Sequence, residues 1–441
     1  MEAVSAFNRP YVVSWNLTYR CNLACEHCYL DAGGKPLVHD DAFADRSELT
    51  TEQCFKVADD IAAFAPEAVT ILTGGEPLLR RDILEIVRHA NARGLWVVVG
   101  TNGVKITPTL AALLKKEGVR GLSLSLDALD PERHDRFRRV QGAWKNTVEG
   151  ARILKEAELP FIVQTTVGAH NVSELSEIAA FAHDTLQAKV WNLYFLVPTG
   201  RGSFVSDIAP DAYDRVLAEL AIIQKAYAGK MLVNAKCAPH YVKTLIEQDP
   251  ESPFLKTYTG GAGGCPAGTH YMGIRPNGDV TPCPYLPVFG GNLKTETLAN
   301  VWASSEPFVA IRKRTELGGR CGACELNALC GGCRARAFGA TGDVMAEDPL
   351  CTHTPGKFAG SPLIQVSRAT VEYGHPVAAA ASSEIVWDDD ARERMKKIPA
   401  FVRGMVVRAV ESYCAKNGIE RVTVGQLDEI RQRMPAGKVF G

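Results

Sequence analysis

The chain has 441 residues, 46% of them hydrophobic and 22% charged, which is enough to bury the cores of two or three domains. Its formal net charge of -1 gives no bulk attraction to nucleic acid or to an anionic membrane. No basic segment precedes an apolar stretch at the start and no apolar run approaches transmembrane length, so a cytoplasmic protein with neither nucleic acid nor membrane as partner is expected.

In chain order, Tyr11–Asn16 reads as a strand that ends at a cysteine-rich loop. Thr50 or Thr51 can cap a helix running to Phe64, and Ala68–Leu72 is a second strand. A helix over Arg81–Arg93 stops at Gly94, Leu95–Val99 is the third strand, and a helix follows over Pro108–Lys116. Leu122–Leu126 and Phe161–Val167 are the fourth and fifth strands, a helix covers Val172–Leu186, and Val190–Val197 is the sixth strand. Strands alternating with helices predict an α/β fold with parallel βαβ units, here a partial (β/α)6 barrel over residues 8–235. Ala209–Glu251 reads as helical apart from a short strand at Met231–Asn234. A small cysteine-rich domain is expected over 236–360, and Gly356–Ser383 reads as a linker. A helical domain is expected over 385–436, with helices at Asp388–Lys397 and Phe401–Lys416 and a last helix capped by the Thr423–Gln426 pair.

The unusual residues collect after the strands, where parallel barrels place their function. The first strand is followed by Cys21, Cys25, Cys28 and Tyr29, and the second by Gly74, Gly75, Glu76 and Pro77. The third leads into Gly100-Thr101-Asn102-Gly103, and Ser125 and Asp127 close the fourth. Three thiols in C-x3-C-x2-C spacing suit a [4Fe–4S] cluster that leaves one iron open. A structural zinc knot competes with that reading, but it needs a fourth ligand that no neighbouring pair supplies. Thiolates suit zinc as well as iron–sulfur clusters, so spacing alone leaves the metal open.

The thirteen cysteines of a chain without a recognisable leader point to metal ligation rather than disulfides. Seven of them fall in one region: Cys265, Cys283, Cys321, Cys324, Cys330, Cys333 and Cys351. Here too a zinc ribbon is the competing reading, although seven cysteines are awkward for it. Cys54, Cys237 and Cys414 stand apart and read as small buried hydrophobes, with Cys237 a remote further ligand candidate.

The triplet with Tyr29, together with Gly74-Gly75-Glu76-Pro77, resembles the radical S-adenosylmethionine (radical SAM) enzymes. The resemblance implies that Cys21, Cys25 and Cys28 hold a catalytic [4Fe–4S] cluster whose open iron chelates SAM, cleaved reductively to a 5′-deoxyadenosyl radical. It implies SAM contacts from the Gly74–Pro77 stretch to the methionine amino group, from Tyr29 to the adenine, and from Ser125 and Asp127 to the carboxylate and ribose. Asn102 and Gln164 also point towards that pocket by position. The later cysteines resemble the SPASM extension of the family, which carries one or two auxiliary [4Fe–4S] clusters. That pattern groups Cys321, Cys324, Cys330 and Cys351 around one cluster and Cys265, Cys283 and Cys333 around another. The spacing between Cys330 and Cys333 is x2, where the family usually has x3.

The stretches Trp15–Cys21 and Cys330–Ala337, with Gly342-Asp343 and Glu347-Asp348-Pro349, resemble the enzymes of haem d1 synthesis and of the siroheme-dependent haem pathway. An iron porphyrinoid losing or decarboxylating a propionate or acetate side chain is the substrate this implies. A peptide or protein maturase is the alternative, and a flavodoxin- or ferredoxin-like protein is the implied electron donor. Arg201, Arg334 and Arg336 are candidates for substrate carboxylates, and His27, His270 and His353 for an axial ligand to the substrate iron. The tail from Trp387 to Gly418 resembles a helical domain of light-independent protochlorophyllide reductase subunits.

Overall fold

The computed structural model describes residues 9–33, 45–205, 207–259, 263–364, 385–396, 398, 406–407, 410–411, 413–414 and 417–433. They fall into two compact units, one within residues 7–366 and one within 367–441.

The larger unit is built on ten strands: β1 (Val12–Asn16), β2 (Val69–Thr73), β3 (Trp96–Thr101), β4 (Leu122–Ser125), β5 (Phe161–Val167), β6 (Val190–Phe195), β7 (Leu232–Lys236), β8 (Tyr271–Ile274), β9 (Asp279–Thr281) and β10 (Gly291–Asn292). Their order is β10-β9-β8-β1-β2-β3-β4-β5-β6-β7, an open sheet whose first and last strands do not meet. Strands β1 to β6 run parallel in chain order, as the alternating pattern predicts. Two strands extend the six-stranded parallel set: β7, which overlaps the short strand expected at Met231–Asn234, joins beside β6, and β8, which the sequence did not show, joins beside β1. Only β9 is reversed, pairing antiparallel with β8 on one side and β10 on the other.

Helices α1 (Thr51–Phe64), α2 (Ile83–Ala92), α3 (Pro108–Lys116), α4 (Pro131–Arg138), α5 (Ala143–Glu156) and α6 (Leu175–Ala180) connect the first six strands. The cap of α1 is reciprocal: Thr50 Oγ1 accepts from the Gln53 N–H at 3.3 Å while Gln53 Oε1 accepts from the Thr50 N–H at 2.9 Å. Helix α2 ends just before Gly94, whose φ of +82° suits a glycine C-terminal turn. Helix α6 continues as a π-helical turn over Phe181–Thr185. Both α4 and α5, in the β4–β5 connection, went unread in the sequence. Beyond β6 come α7 (Pro210–Ala226) and α8 (Tyr241–Gln248). Trp15, Leu72, Val97, Val99, Val163, Trp191 and Leu193 fill the core against these helices. Strands buried on both faces need such near-continuous apolar runs. Among the described residues no helix is long and apolar enough to cross a membrane.

In the smaller unit a helix at Asp389–Lys396 and a helix at Val424–Arg433 enclose Ala391, Met395, Val407, Val410, Cys414, Val422, Leu427 and Ile430. The expected capping pair is present, with Thr423 and Gln426 exchanging bonds of 3.0 and 3.2 Å. Trp387 is not helical: Val386–Trp387 pairs in parallel with Arg421–Val422, a contact between distant residues that local periodicity does not display. The helix expected over Phe401–Lys416 lies largely outside the described residues, as does most of the linker.

Candidate active site

The first cysteine loop leaves β1 and is stitched to the loop after β2. Gly75 N–H donates to the Thr18 carbonyl at 2.7 Å and Glu76 N–H to the Arg20 carbonyl at 2.8 Å. A Cβ on Gly75 would lie 2.3 Å from the Arg20 oxygen, and one on Gly74, at φ +139°, 2.7 Å from the Thr18 oxygen. Glycine is therefore required where the two main chains cross. The room those absent side chains leave is taken by the cysteine loop itself, while both glycines still line the adjoining cleft.

Within the loop the sulfurs accept main-chain hydrogens, Leu23 N–H to Cys21 Sγ at 3.4 Å and Ala32 N–H to Cys28 Sγ at 3.3 Å. Such bonds stabilise thiolate charge, as a cluster ligand needs. In the free protein, burial pushes the Cys21 thiol up to about 12 and raises Cys25 as well. Arg201 braces the loop from inside. Its side chain donates to the Cys25 carbonyl at 2.8 Å, to Asp31 Oδ1 at 2.9 Å and to the Ala32 carbonyl at 2.8 Å.

Arg138, at the end of α4, was not singled out by the sequence. Its guanidinium donates to Asp127 Oδ2 at 2.6 Å and lies 3.6 Å from Cys25 Sγ. Burial is the strongest single influence and raises the Asp127 carboxyl, but the charges of Arg138, His27 and His134 with the Thr166 N–H together outweigh it and hold it down to about 2. Arg138 lines the cleft, whereas Asp127 does not and is turned to the arginine it positions. Glu76 is likewise turned inward. Its carboxylate accepts from Leu78 N–H at 3.0 Å, Thr101 Oγ1 at 2.9 Å and Asn102 N–H at 2.8 Å. Burial raises it to about 7 against those donors. Neither Glu76 nor Pro77 lines the cleft; they tie the glycine turn to the end of β3.

The cleft contains about 1210 Å³ of space counted out to its mouth. Cys21, Cys25 and Cys28 lie at one side, with Asn102, Ser125, Gln164 and Thr166 along the strand ends. Pro284 and Tyr285, next to Cys283, line the cleft as well. An aromatic wall joins the two groups: Tyr29 packs on Tyr285 at 4.6 Å between ring centroids, and Tyr285 lies 6.2 Å from Tyr194. Tyr29 is oriented by donating its hydroxyl to Asn16 Oδ1 at 2.7 Å.

The seven later cysteines separate into two groups. Cys321, Cys324, Cys330 and Cys351 surround a small second cavity of about 310 Å³. Cys324 Sγ accepts from Leu326 N–H at 3.3 Å and Cys330 Sγ from Gly332 N–H at 3.4 Å. Cys265, Cys283 and Cys333 pack in a separate cluster, with Cys237 against it. A Cys265–Cys333 hydrogen bond lowers the former to about 5 and raises the latter. Four converging thiols round a void, and three with N–H donors beside the cleft, are donor sets that fit iron–sulfur clusters. Cys324, Glu325 and His353 also bring donor atoms within 4.8 Å of one another. The Glu325 carboxylate, however, is already taken by His353 at 3.0 Å, Gly356 N–H at 2.7 Å and Phe358 N–H at 2.8 Å.

The other candidates divide. Ser125, Asn102 and Gln164 line the cleft, and so does His27, which stacks on Phe137 at 4.4 Å and is pushed down to about 3 by burial. His270 stacks on Tyr11 outside the cleft, and His353 lines the second cavity. Arg334 and Arg336 are buried and committed to protein acceptors, so they are not substrate clamps. Arg334 donates to the Val344 and Ala346 carbonyls at 2.9 and 2.7 Å, and Arg336 to Asp348 at 3.0 Å and the Cys237 carbonyl at 2.8 Å.

A partial parallel barrel with a thiol triplet at its strand ends and a thiol-rich extension defines a radical SAM enzyme, and the chain belongs to that superfamily. The model of the Radical SAM superfamily matches residues 15–182, that of an iron–sulfur cluster-binding domain 265–333, and that of the proto-chlorophyllide reductase 57 kD subunit 387–431. Among its relatives, an AdoMet-dependent heme synthase of Methanosarcina barkeri is 37% identical over 80% of this chain and 99% of that protein. The pre-heme d1 synthase of Dinoroseobacter shibae is 31% identical over 77% of this chain and 85% of its own length. In fold, Streptococcus suis SuiB bound to S-adenosylmethionine superposes with a TM-score of 0.63 at 16% identity, over 78% of each chain. The cofactors of this enzyme are iron–sulfur clusters and SAM.

Proposed function

We propose that this enzyme forms a haem-type product by abstracting hydrogen from a propionate or acetate side chain of an iron tetrapyrrole. The observation that carries the reading is the 37% identity to an AdoMet-dependent heme synthase across 99% of that protein. The cleft supports it physically. The tyrosine wall of Tyr29, Tyr194, Tyr271 and Tyr285 suits the face of a flat macrocycle, and the cleft is lined both by the first thiol triplet and by Pro284 and Tyr285, the neighbours of Cys283.

In this reading Cys21, Cys25 and Cys28 hold the catalytic cluster. Cys321, Cys324, Cys330 and Cys351 hold one auxiliary cluster, and Cys265, Cys283 and Cys333 a second. When bound, the first cluster supplies the electron that cleaves SAM to methionine and the 5′-deoxyadenosyl radical, and an auxiliary cluster takes up the electron released by the substrate. The backbone of Gly74 and Gly75 receives the SAM amino group, Tyr29 flanks the adenine, and Ser125 with Arg138 meets the carboxylate and ribose. Asp127 acts through Arg138, and Glu76 through the glycine turn and Asn102. For a propionate, loss of a hydrogen atom from the ring-side carbon followed by loss of carbon dioxide leaves a vinyl group and one electron. That electron is why an acceptor centre belongs beside the cleft. A flavodoxin- or ferredoxin-like protein would reduce the first cluster.

The test is anaerobic incubation of the reduced enzyme with SAM and iron coproporphyrin, followed in the visible spectrum and by product mass. A spectral change on binding and a product lighter by carbon dioxide and two hydrogens for each side chain converted support the reading. No spectral change with any iron porphyrinoid, alongside modification of a small peptide, would move the enzyme to the maturases. Mycofactocin maturase MftC of Mycobacterium tuberculosis is itself 30% identical over 78% of this chain.

A further inference from the structure

Cys237 follows β7 directly, at the strand end that faces the cleft side of the sheet. It has a φ of +56°, a left-handed conformation that costs a non-glycine residue energy and persists where surroundings impose it. Two sets of contacts impose it here. Its side chain packs against the buried cluster that contains Cys265, Cys283 and Cys333 together with Val197, Ala267, Leu286, Ile311 and Ala335. Its carbonyl accepts from Arg336 Nη2 at 2.8 Å, while Arg336 Nη1 donates to Asp348 Oδ2 at 3.0 Å. The same Asp348 oxygen accepts the Cys333 N–H at 2.7 Å. One buried Arg336–Asp348 pair therefore fixes the main chain of Cys237 and of Cys333 together. Supporting groups of this kind orient metal ligands.

We propose that Cys237 is the fourth thiolate of the cluster held by Cys265, Cys283 and Cys333, which closes that cluster to substrate. The inference rests on the reading of those three cysteines as ligands. A cubane has four irons, and four cysteines satisfy them all. A fully ligated centre beside the cleft takes an electron from the substrate radical without bonding to the substrate. Local spacing does not reveal this ligand, because Cys237 lies 28 positions before Cys265 in sequence (265 − 237).

The experiment uses the full chain with Cys21, Cys25 and Cys28 replaced by alanine, so that only auxiliary centres report. Into this parent go Cys237→Ala, Cys237→Ser and, for comparison, Cys283→Ala, each reconstituted anaerobically. Iron content, the electron paramagnetic resonance spectrum after mild oxidation, and midpoint potentials are read for each. Cys237→Ala should lose up to about four irons per chain or give a three-iron signal that the parent lacks. Cys237→Ser preserves the packing and should keep the cluster with a shifted potential, so it decides the matter even if the alanine variant misfolds. If Cys237→Ser matches the parent in iron, spectrum and potential while Cys283→Ala does not, Cys237 is a packed hydrophobe and the proposal falls. If Cys283→Ala also matches the parent, the ligand reading beneath it falls instead.

Discussion

The two thiol regions of this enzyme are built on opposite plans. Cys21, Cys25 and Cys28 lie within eight residues of one loop (21 to 28), so the chain's own geometry brings them together. The later group is gathered from Cys237 beyond β7, Cys265 before β8, Cys283 beyond β9, the Cys321–Cys333 run and Cys351. Closing such long loops costs entropy that the sheet and the buried Arg336–Asp348 pair must offset. The difference teaches that a local centre can be read from spacing, including its missing ligand, whereas an assembled centre needs the fold to say which thiols share a cluster.

That contrast can be broken at several points, beginning with the most severe. Cys25→Ala should abolish 5′-deoxyadenosine formation while the auxiliary centres keep their iron; persistent SAM cleavage would remove the triplet from the chemistry. Arg138→Ala leaves Asp127 buried without its partner and should cost about 3–5 kcal/mol of stability. Adding Asp127→Asn should recover part of that loss in a thermal melt, and no recovery would mean the pair is not what matters. Gly75→Ala forces a Cβ onto the Arg20 carbonyl and should cost of order 1–3 kcal/mol. Its weakened SAM binding, measured with auxiliary iron unchanged, would show that the first centre depends on its crossing with the glycine turn.

Glu76 carries a pH signature. Its carboxyl is raised from 4.5 to about 7 in the folded chain, chiefly by burial. A raised acid favours the fold below its unfolded value and loses that contribution as pH rises through the folded one. Stability should therefore fall between about pH 4.5 and 7, and Glu76→Gln should flatten the profile in that window. The smallest effect is expected at the rim of the second region. Arg320 and Glu347 are substantially exposed, so Arg320→Ala should cost under about 1 kcal/mol for the ion pair and leave the iron content intact.

Much of this architecture was legible because its signals are local. The six alternating strands, a threonine cap at Thr50 or Thr51 and the stop at Gly94 follow from neighbouring residues, although the reciprocal bond from Gln53 went unread. What escaped was long-range. Tyr271–Ile274 becomes a strand by pairing with β1, more than 250 residues away (271 − 12), and Met231–Asn234 was read as a strand without its place beside β6. At the site, the cysteine triplet and the glycine turn announced themselves. Arg138 did not, because nothing in sequence links it to Asp127 or to Cys25. Glu76 and Asp127 were read as facing the ligand because their positions are right; their carboxylates point into the protein because buried N–H and guanidinium donors claim them first. Arg334 and Arg336 were misread for the same reason: beside a cluster ligand, an arginine can hold the loop rather than the substrate.

The most direct test of the central claim is isotopic. The reduced enzyme is given SAM and an iron coproporphyrin deuterated on the ring-side carbons of its propionates. The account predicts deuterium in 5′-deoxyadenosine, matched by loss of carbon dioxide from the porphyrin. Deoxyadenosine formed without deuterium, from a porphyrin recovered unchanged, would contradict it.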